Sequence, residues 1–277
     1  MTAPTPTPTP PPPYGYVSPI PVRRAHLGDA LASEWTKIRS VRSTMWTLGT
    51  MVLLMLLIGL GVGAVASGEG GVGEESALSL GFFGMLPASI CVITLGVLTI
   101  SSEYGTGMIR TTLTACPSRA RVLTAKAVVF FLLVFTVTLV VAFAVATAQV
   151  AMVDAAEPTG AEWARATVGA AGFLAVLGLL SMAVGALVRH SAGAITVMIG
   201  VLLLPLVAAL FMFSPALEGL REVLFTYSVP SQMIALYSAR PPFSESGPAG
   251  WEALLTLAGI TAVVLGAAYA LLNSRDV

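Results

Sequence analysis

The chain has 277 residues, of which 56% are hydrophobic and only 10% charged, and its mean hydropathy is +0.88. A soluble domain carries about 25% charged residues, so this chain cannot cover itself with a polar surface. The composition excludes a soluble globular class and points to an integral membrane protein. Fourteen basic and fourteen acidic residues cancel to a formal charge of zero.

The first stretch, Met1 to about Pro21, is low in complexity, with Thr-Pro repeats followed by four prolines and Tyr14-Gly15-Tyr16. Proline fixes φ and removes donors, so this stretch favours extended polyproline II and builds no core. Residues 1–22 are expected to be a disordered cytoplasmic tail, and 23–277 a single six-span domain. Arg23 to Ser43 repeats Leu27, Leu31, Trp35 and Ile38 at helical spacing, while Asp29, Ser33, Lys37 and Ser40 fall away from that stripe. Five basic residues flank or line it. A basic amphipathic helix over 27–43, with a Trp just before a membrane span, is expected to lie flat among lipid headgroups.

The predicted spans are about 45–66, 80–100, 122–150, 166–188, 193–213 and 251–272, each near the roughly 20 residues that cross a hydrocarbon core. Gly59, Gly61 and Gly63 in the first span include a small-xxx-small pair that permits close helix contact. Pro87 sits near the outer end of the second span. Pro205 in the fifth is expected to kink or break it. Ser214 to Gly250 is too apolar for an aqueous loop and too interrupted for a span. Short interfacial or re-entrant helices, broken at Pro230, are expected there.

Arginine and lysine counts set orientation. The N-terminal segment, the second and fourth loops and the C-terminal tail hold eleven of the fourteen basic residues and four of the fourteen acids. Six spans with both termini cytoplasmic follow. Arginine outnumbers lysine twelve to two, and alanine and glycine are abundant, a bias that fits a GC-rich bacterial genome.

Little chemistry is visible. No ionisable group lies near the middle of a predicted span, which disfavours ion coupling. No phosphate-cradling loop is present. Cys91 lies in an apolar run and Cys116 in a basic loop, so neither a disulfide nor a metal site is expected. His26 and His190 read as plain interfacial residues. No catalytic residue is expected, and nothing points to nucleic acid. Any uphill transport would draw its energy from another chain.

The basic loop Ser101 to Lys126 is the most informative stretch. Gly105 and Gly107 free the backbone to turn, and Met108 to Ala115 suffices for about two helical turns. Pro117 stops them, and Ser118 is a natural N-cap for the third span. The short helix, clamped between two spans, would pass a push from a soluble partner into the membrane. Positive-inside charge alone accounts for the loop equally well.

Glu103, Gly105-Thr106, Leu113, Pro117-Ser118-Arg119 and Lys126 resemble the pattern of type 2 ABC transporter permeases. In that family an acid ends the second span, Gly-Thr and Pro-x-Arg follow, and a Lys opens the third. The stretch SEWTKIRSVRS is similar to the family's N-terminal elbow helix, here carrying Leu27, Leu31, Trp35 and Ile38. The resemblance runs from about Leu27 to Val277. It implies an all-α, six-span fold in the bacterial plasma membrane. It also implies a second permease copy, identical or related, and two cytoplasmic ATPase subunits that hold the ATP and Mg; this chain itself would bind no cofactor. The loop helix would be a coupling helix, with Glu103, Gly105, Thr106, Arg110, Leu113, Pro117 and Arg119 at the joint. Segments around Leu220, Leu224, Pro230 and Met233 would be extracellular re-entrant helices.

The expected function is therefore the membrane subunit of an ATP-driven exporter of a hydrophobic or amphipathic cargo, a drug-like molecule, peptide or lipid. Its pathway would lie between two copies, lined by the first, second and fifth spans. The alternatives are an ATP-independent carrier or channel, and a non-transporting scaffold or assembly partner. Pro117→Leu and Glu103→Ala are expected to reduce transport without blocking membrane insertion.

Overall fold

A computed structural model describes residues 26–73, 75–115, 118–238 and 247–274. The proline-rich tail, Cys116, Pro117, Arg275 and Asp276 lie outside the described residues, as do the side chains of Arg110 and Leu113. Among the described residues the chain is helical, with no strand beyond an isolated bridge between Gly73 and Ala155. The order is α1 (Leu27–Ser40), α2 (Arg42–Gly68), a 3-10 turn (Ala77–Leu80), α3 (Gly81–Gly105), α4 (Met108–Ala115) and α5 (Arg119–Met152). Then come α6 (Gly160–Ala164), a π-helical turn (Arg165–Gly169), α7 (Ala170–Val188), α8 (Ser191–Leu210), α9 (Glu218–Tyr227), α10 (Val229–Tyr237) and α11 (Trp251–Ser274).

Six of these helical runs are long and apolar enough to cross a membrane: Arg42–Gly68, Ala77–Gly105, Arg119–Met152, Gly160–Val188, Ser191–Leu210 and Trp251–Leu271. These runs overlap the predicted spans, with ends shifted by a few residues. The fourth run starts earliest relative to expectation, because Thr159 and Glu162 form a reciprocal capping box that nucleates a turn ahead of Ala166. Ser118 caps α5 as expected, its hydroxyl accepting from the Arg121 amide. The break between α1 and α2 is one extended residue, Val41, so the first span begins at Arg42. α8 runs through Pro205 without ending.

α7 is the hub. Seventy-two per cent of its span is buried inside the protein, against 17% for the span in α11. Glycines let its neighbours approach: a methyl on Gly96 of α3 would strike the Gly178 carbonyl, and one on Gly185 would sit 3.1 Å from the Val97 carbonyl. Close backbone contact through small residues is the usual way apolar helices gain packing where no hydrophobic driving force separates helix from lipid. Phe130, Phe173, Ile93, Leu174, Leu177, Met198 and Met233 fill the surrounding core. Gly59 and Gly63 of α2 serve the same purpose within the chain, facing Val145 and Gln149 of α5, while Gly61 has nothing beside it. The Gln149 amide donates to the Gly59 carbonyl at 2.9 Å.

The connection after α8 divides in two. α9 lies largely exposed, with Leu220 and Val223 outward and Leu224 half-buried. α10 is tucked into the bundle, with Pro230 buried and Met233 and Leu236 fully enclosed. Pro230 opens α10 rather than interrupting a helix. Ser228 caps it, and a proline in the first turn sacrifices an amide that had no intrahelical partner.

Candidate functional site

The chain's two lysines meet at one end of the bundle. Lys37 of α1 and Lys126 of α5 both donate to Glu103 Oε1 of α3, at 2.9 and 3.0 Å. Glu34 of α1 completes the group: its Oε1 accepts from Lys37 at 2.8 Å and its Oε2 from Lys126 at 2.6 Å. Lys37 Nζ also points at Thr112 Oγ1 of α4, 3.4 Å away. Glu34, Glu103 and Lys126 are buried, and Lys37 is partly so. Two negative and two positive charges therefore cancel in a largely buried site. A buried charge is tolerated only when paired and hydrogen-bonded.

Helical geometry brings these groups together. Glu34 and Lys37 are three residues apart and share one face of α1. Glu103 lies in the last turn of α3, just before Gly105 ends the helix. Thr106 caps that end, its amide donating to the Ser102 carbonyl, and Gly107 turns the chain into α4 with φ +71°. Lys126 is two turns into α5. At 1.5 Å per residue this 34-residue helix is about 50 Å long, against a hydrocarbon core of about 30 Å. The helix is therefore longer than the core it would cross, and Lys126 lies toward its N-terminal end.

Four elements, α1, α3, α4 and α5, thus converge on one ionic cluster. Lysine suits it: a compact ammonium with three rotatable donors can sit between two carboxylates, where the planar arginine fork fits less well. At Lys37 burial opposes the charge. Hydrogen bonds to Glu103 and Glu34, with their negative charge, outweigh that and raise its pKa above 10.5.

The elbow stripe does not act as a single face. Ile38 is buried, Leu31 is half-buried, and Leu27 and Trp35 are each 45% exposed. The face that enters the bundle carries Glu34 and Lys37 beside Ile38. The partners of Lys37 on other helices, Glu103 and Thr112, lie 66 and 75 residues away in sequence, and no pattern inside α1 reveals them. Glu103 is enclosed by the chain's own lysines. Glu34, the member not singled out from sequence, is the acid in the stretch SEWTKIRSVRS.

The neighbouring contacts tie the same end together. Ser101 donates to the Val97 carbonyl and meets Ser191 of α8 at 3.1 Å. Arg189, in the left-handed conformation that ends α7, stacks over Tyr104 at 5.1 Å. Thr124 and Tyr269 share a 2.7 Å hydrogen bond that fixes α11 to α5. His190 caps α8, its Nδ1 accepting from the Gly193 amide at 3.1 Å. Among the described residues no group of three or more metal-ligating side chains assembles. Its charged hydrogen bonds join α1, α3 and α5 at this end of the bundle.

The fold and this joint define an all-helical protein with six helices long and apolar enough to cross a membrane. No protein-family model matches the chain, and no curated protein matches it.

Proposed function

We propose that the chain is the membrane-spanning subunit of a bacterial ATP-driven ABC exporter, working as a pair of copies with cytoplasmic ATPase subunits. The observation that carries this reading is the ionic cluster. Three separate parts of the resemblance, the SEWTKIRSVRS stretch, the acid ending the second span and the lysine opening the third, meet at Glu34, Glu103 and Lys126 within 3.0 Å. α4 packs against α3 and α5 and touches the cluster through Thr112. A force applied to α4 would reach α1, α3 and α5 together, as coupling to a soluble motor requires. The basic end would face the cytoplasm. Transport would follow only if the ATP-bound partner favours one state of the bundle over the other by a few kcal/mol. The apolar faces of α2, α3 and α8 would line the pathway for a hydrophobic or amphipathic cargo.

The test is reconstitution with a candidate ATPase. Co-purification, a change in ATP hydrolysis when this chain is present, and loss of that change in Glu103→Ala support the reading. Flux by the chain alone on an ion gradient supports the carrier alternative.

A further inference from the structure

The elbow between α1 and α2 carries an open cleft of about 210 Å³, lined by Arg39, Ser40, Arg42, Met45 and Trp46, all of them exposed. The break between the helices builds it. Arg39 lies in the last turn of α1 and Arg42 opens α2, and the extended residue Val41 brings the two arginines to one cleft. No acid lines it. Neither arginine has an ion pair or hydrogen bond among the described residues. The Ser40 hydroxyl donates to the Lys37 carbonyl at 3.0 Å, so the donors of the cleft are the guanidinium N–H groups. Lys37 and Lys126 nearby are neutralised by Glu34 and Glu103. Arg39 and Arg42 instead present positive charge that nothing in their cleft offsets.

Beyond the arginines the surface turns apolar. Trp46 follows Arg42 by four residues, so the two share a face of α2. Trp46 is 77% exposed, and Leu53 and Leu57 continue that face, 54% and 61% exposed. Steps of seven and four residues keep the three on one helical stripe. α2 is long and apolar enough to cross a membrane, so lipid chains would cover this stripe. Trp46 stands at its charged end, and an indole favours the boundary between chains and headgroups. Guanidinium, indole and leucine thus follow one another along the surface, in the order of phosphate, glycerol and acyl chain in a phospholipid.

We infer that the elbow cleft binds an anionic phospholipid, its phosphate held by Arg39 and Arg42 and an acyl chain laid along Trp46, Leu53 and Leu57. The arginine fork matches phosphate oxygens two at a time, and basic pockets beside membrane helices suit lipid phosphates. A zwitterionic head brings its own ammonium, which two arginines repel. An acidic peptide would meet the arginines and leave the apolar stripe unused. The site stands whether or not the chain works with an ATPase.

The test is native mass spectrometry of the full chain, delipidated in a neutral detergent and titrated with dioleoylphosphatidylglycerol or dioleoylphosphatidylcholine. Phosphatidylglycerol should fill a saturable site at least about tenfold more tightly than phosphatidylcholine, the scale of one hydrogen bond to a charged group. The double variant Arg39→Gln, Arg42→Gln should bring it down to the phosphatidylcholine level at an unchanged unfolding temperature, since both side chains are exposed. Trp46→Ala should weaken it with every charge intact. Arg221→Gln, which removes an exposed arginine of α9 outside the cleft, should leave it unchanged. Equal binding of the two lipids overturns the proposal, as does full phosphatidylglycerol binding in the double variant or an equal loss in Arg221→Gln. Competition separates the sources of negative charge. Retention of the lipid against excess inorganic phosphate and a short polyglutamate peptide supports the site. Displacement by the phosphate would make a free anion the ligand, and displacement by the peptide an acidic protein segment; either contradicts the lipid assignment.

Discussion

At Lys126 a single ammonium holds two buried carboxylates apart from each other's repulsion. Removing it leaves Glu34 and Glu103 with only the partly buried Lys37 between them. Lys126→Met is therefore expected to cost about 3–5 kcal/mol, the usual penalty for breaking a buried pair, read as a lower unfolding temperature in detergent. Replacing Glu34, Lys37, Glu103 and Lys126 together by apolar residues of similar volume should recover most of that stability, while losing any link to a partner. Lys37 gives a pH signature. Its pKa is raised on folding, so its contribution is complete below the unfolded value of 10.5 and is lost as pH climbs through the higher folded value. Thermal unfolding followed into that alkaline range should fall more steeply for wild type than for Lys37→Met. Half of this cluster is legible in the sequence. Glu103 stands out as the one acid of the basic loop, and Lys126 as the last base before the third apolar run. Glu34 and the inward turn of Lys37 are not legible, because the amphipathic stripe of α1 ranks residues by apolarity and the partners lie on other helices.

Among the elements, α3 and α7 depend on glycine more than on any large side chain. Gly178→Leu would push into Phe130 and Val92, both fully buried. It is expected to abolish the folded state, or lower its yield severely, whereas Gly200→Leu, with open space beside it, should be tolerated. Size-exclusion profiles of the two variants check this. Thr159→Ala removes the cap that starts α6, with an expected cost of about 1 kcal/mol. The signal for that helix start, Thr159 three residues before Glu162, was present in the sequence, but the apolar run that follows drew the boundary inward to Ala166. The connection between α8 and α11 shows the opposite limit. Composition marks it as neither loop nor span. That α10 is enclosed while α9 stays outside follows the charges, since Glu218, Arg221 and Glu222 lie on α9 and α10 has none, a difference lost when the connection is read as one stretch.

For the whole molecule, hydropathy and length made the six long helices readable, because each apolar run must satisfy its own backbone when no water is near. Their arrangement around α7 was not readable, since every span is about equally apolar and the burial difference arises from glycine spacing on α3 and α7. The proposed orientation, with the basic cluster end in the cytoplasm, predicts that a cysteine placed at Ser40 is labelled only from the cytoplasmic side and one at Glu157 only from the other, in a background where Cys91 and Cys116 are replaced. Reversed labelling would remove the ATPase-facing role of α4.

The most direct test of the central claim is ATP hydrolysis by a candidate ATPase in proteoliposomes, measured with this chain, without it, and with Glu103→Ala or Pro117→Leu in its place. The account predicts that the ATPase binds the wild-type chain, that its turnover changes on binding, and that both variants insert into the membrane yet lose most of that change. An ATPase whose turnover is the same with wild type, with either variant and with empty liposomes would contradict it.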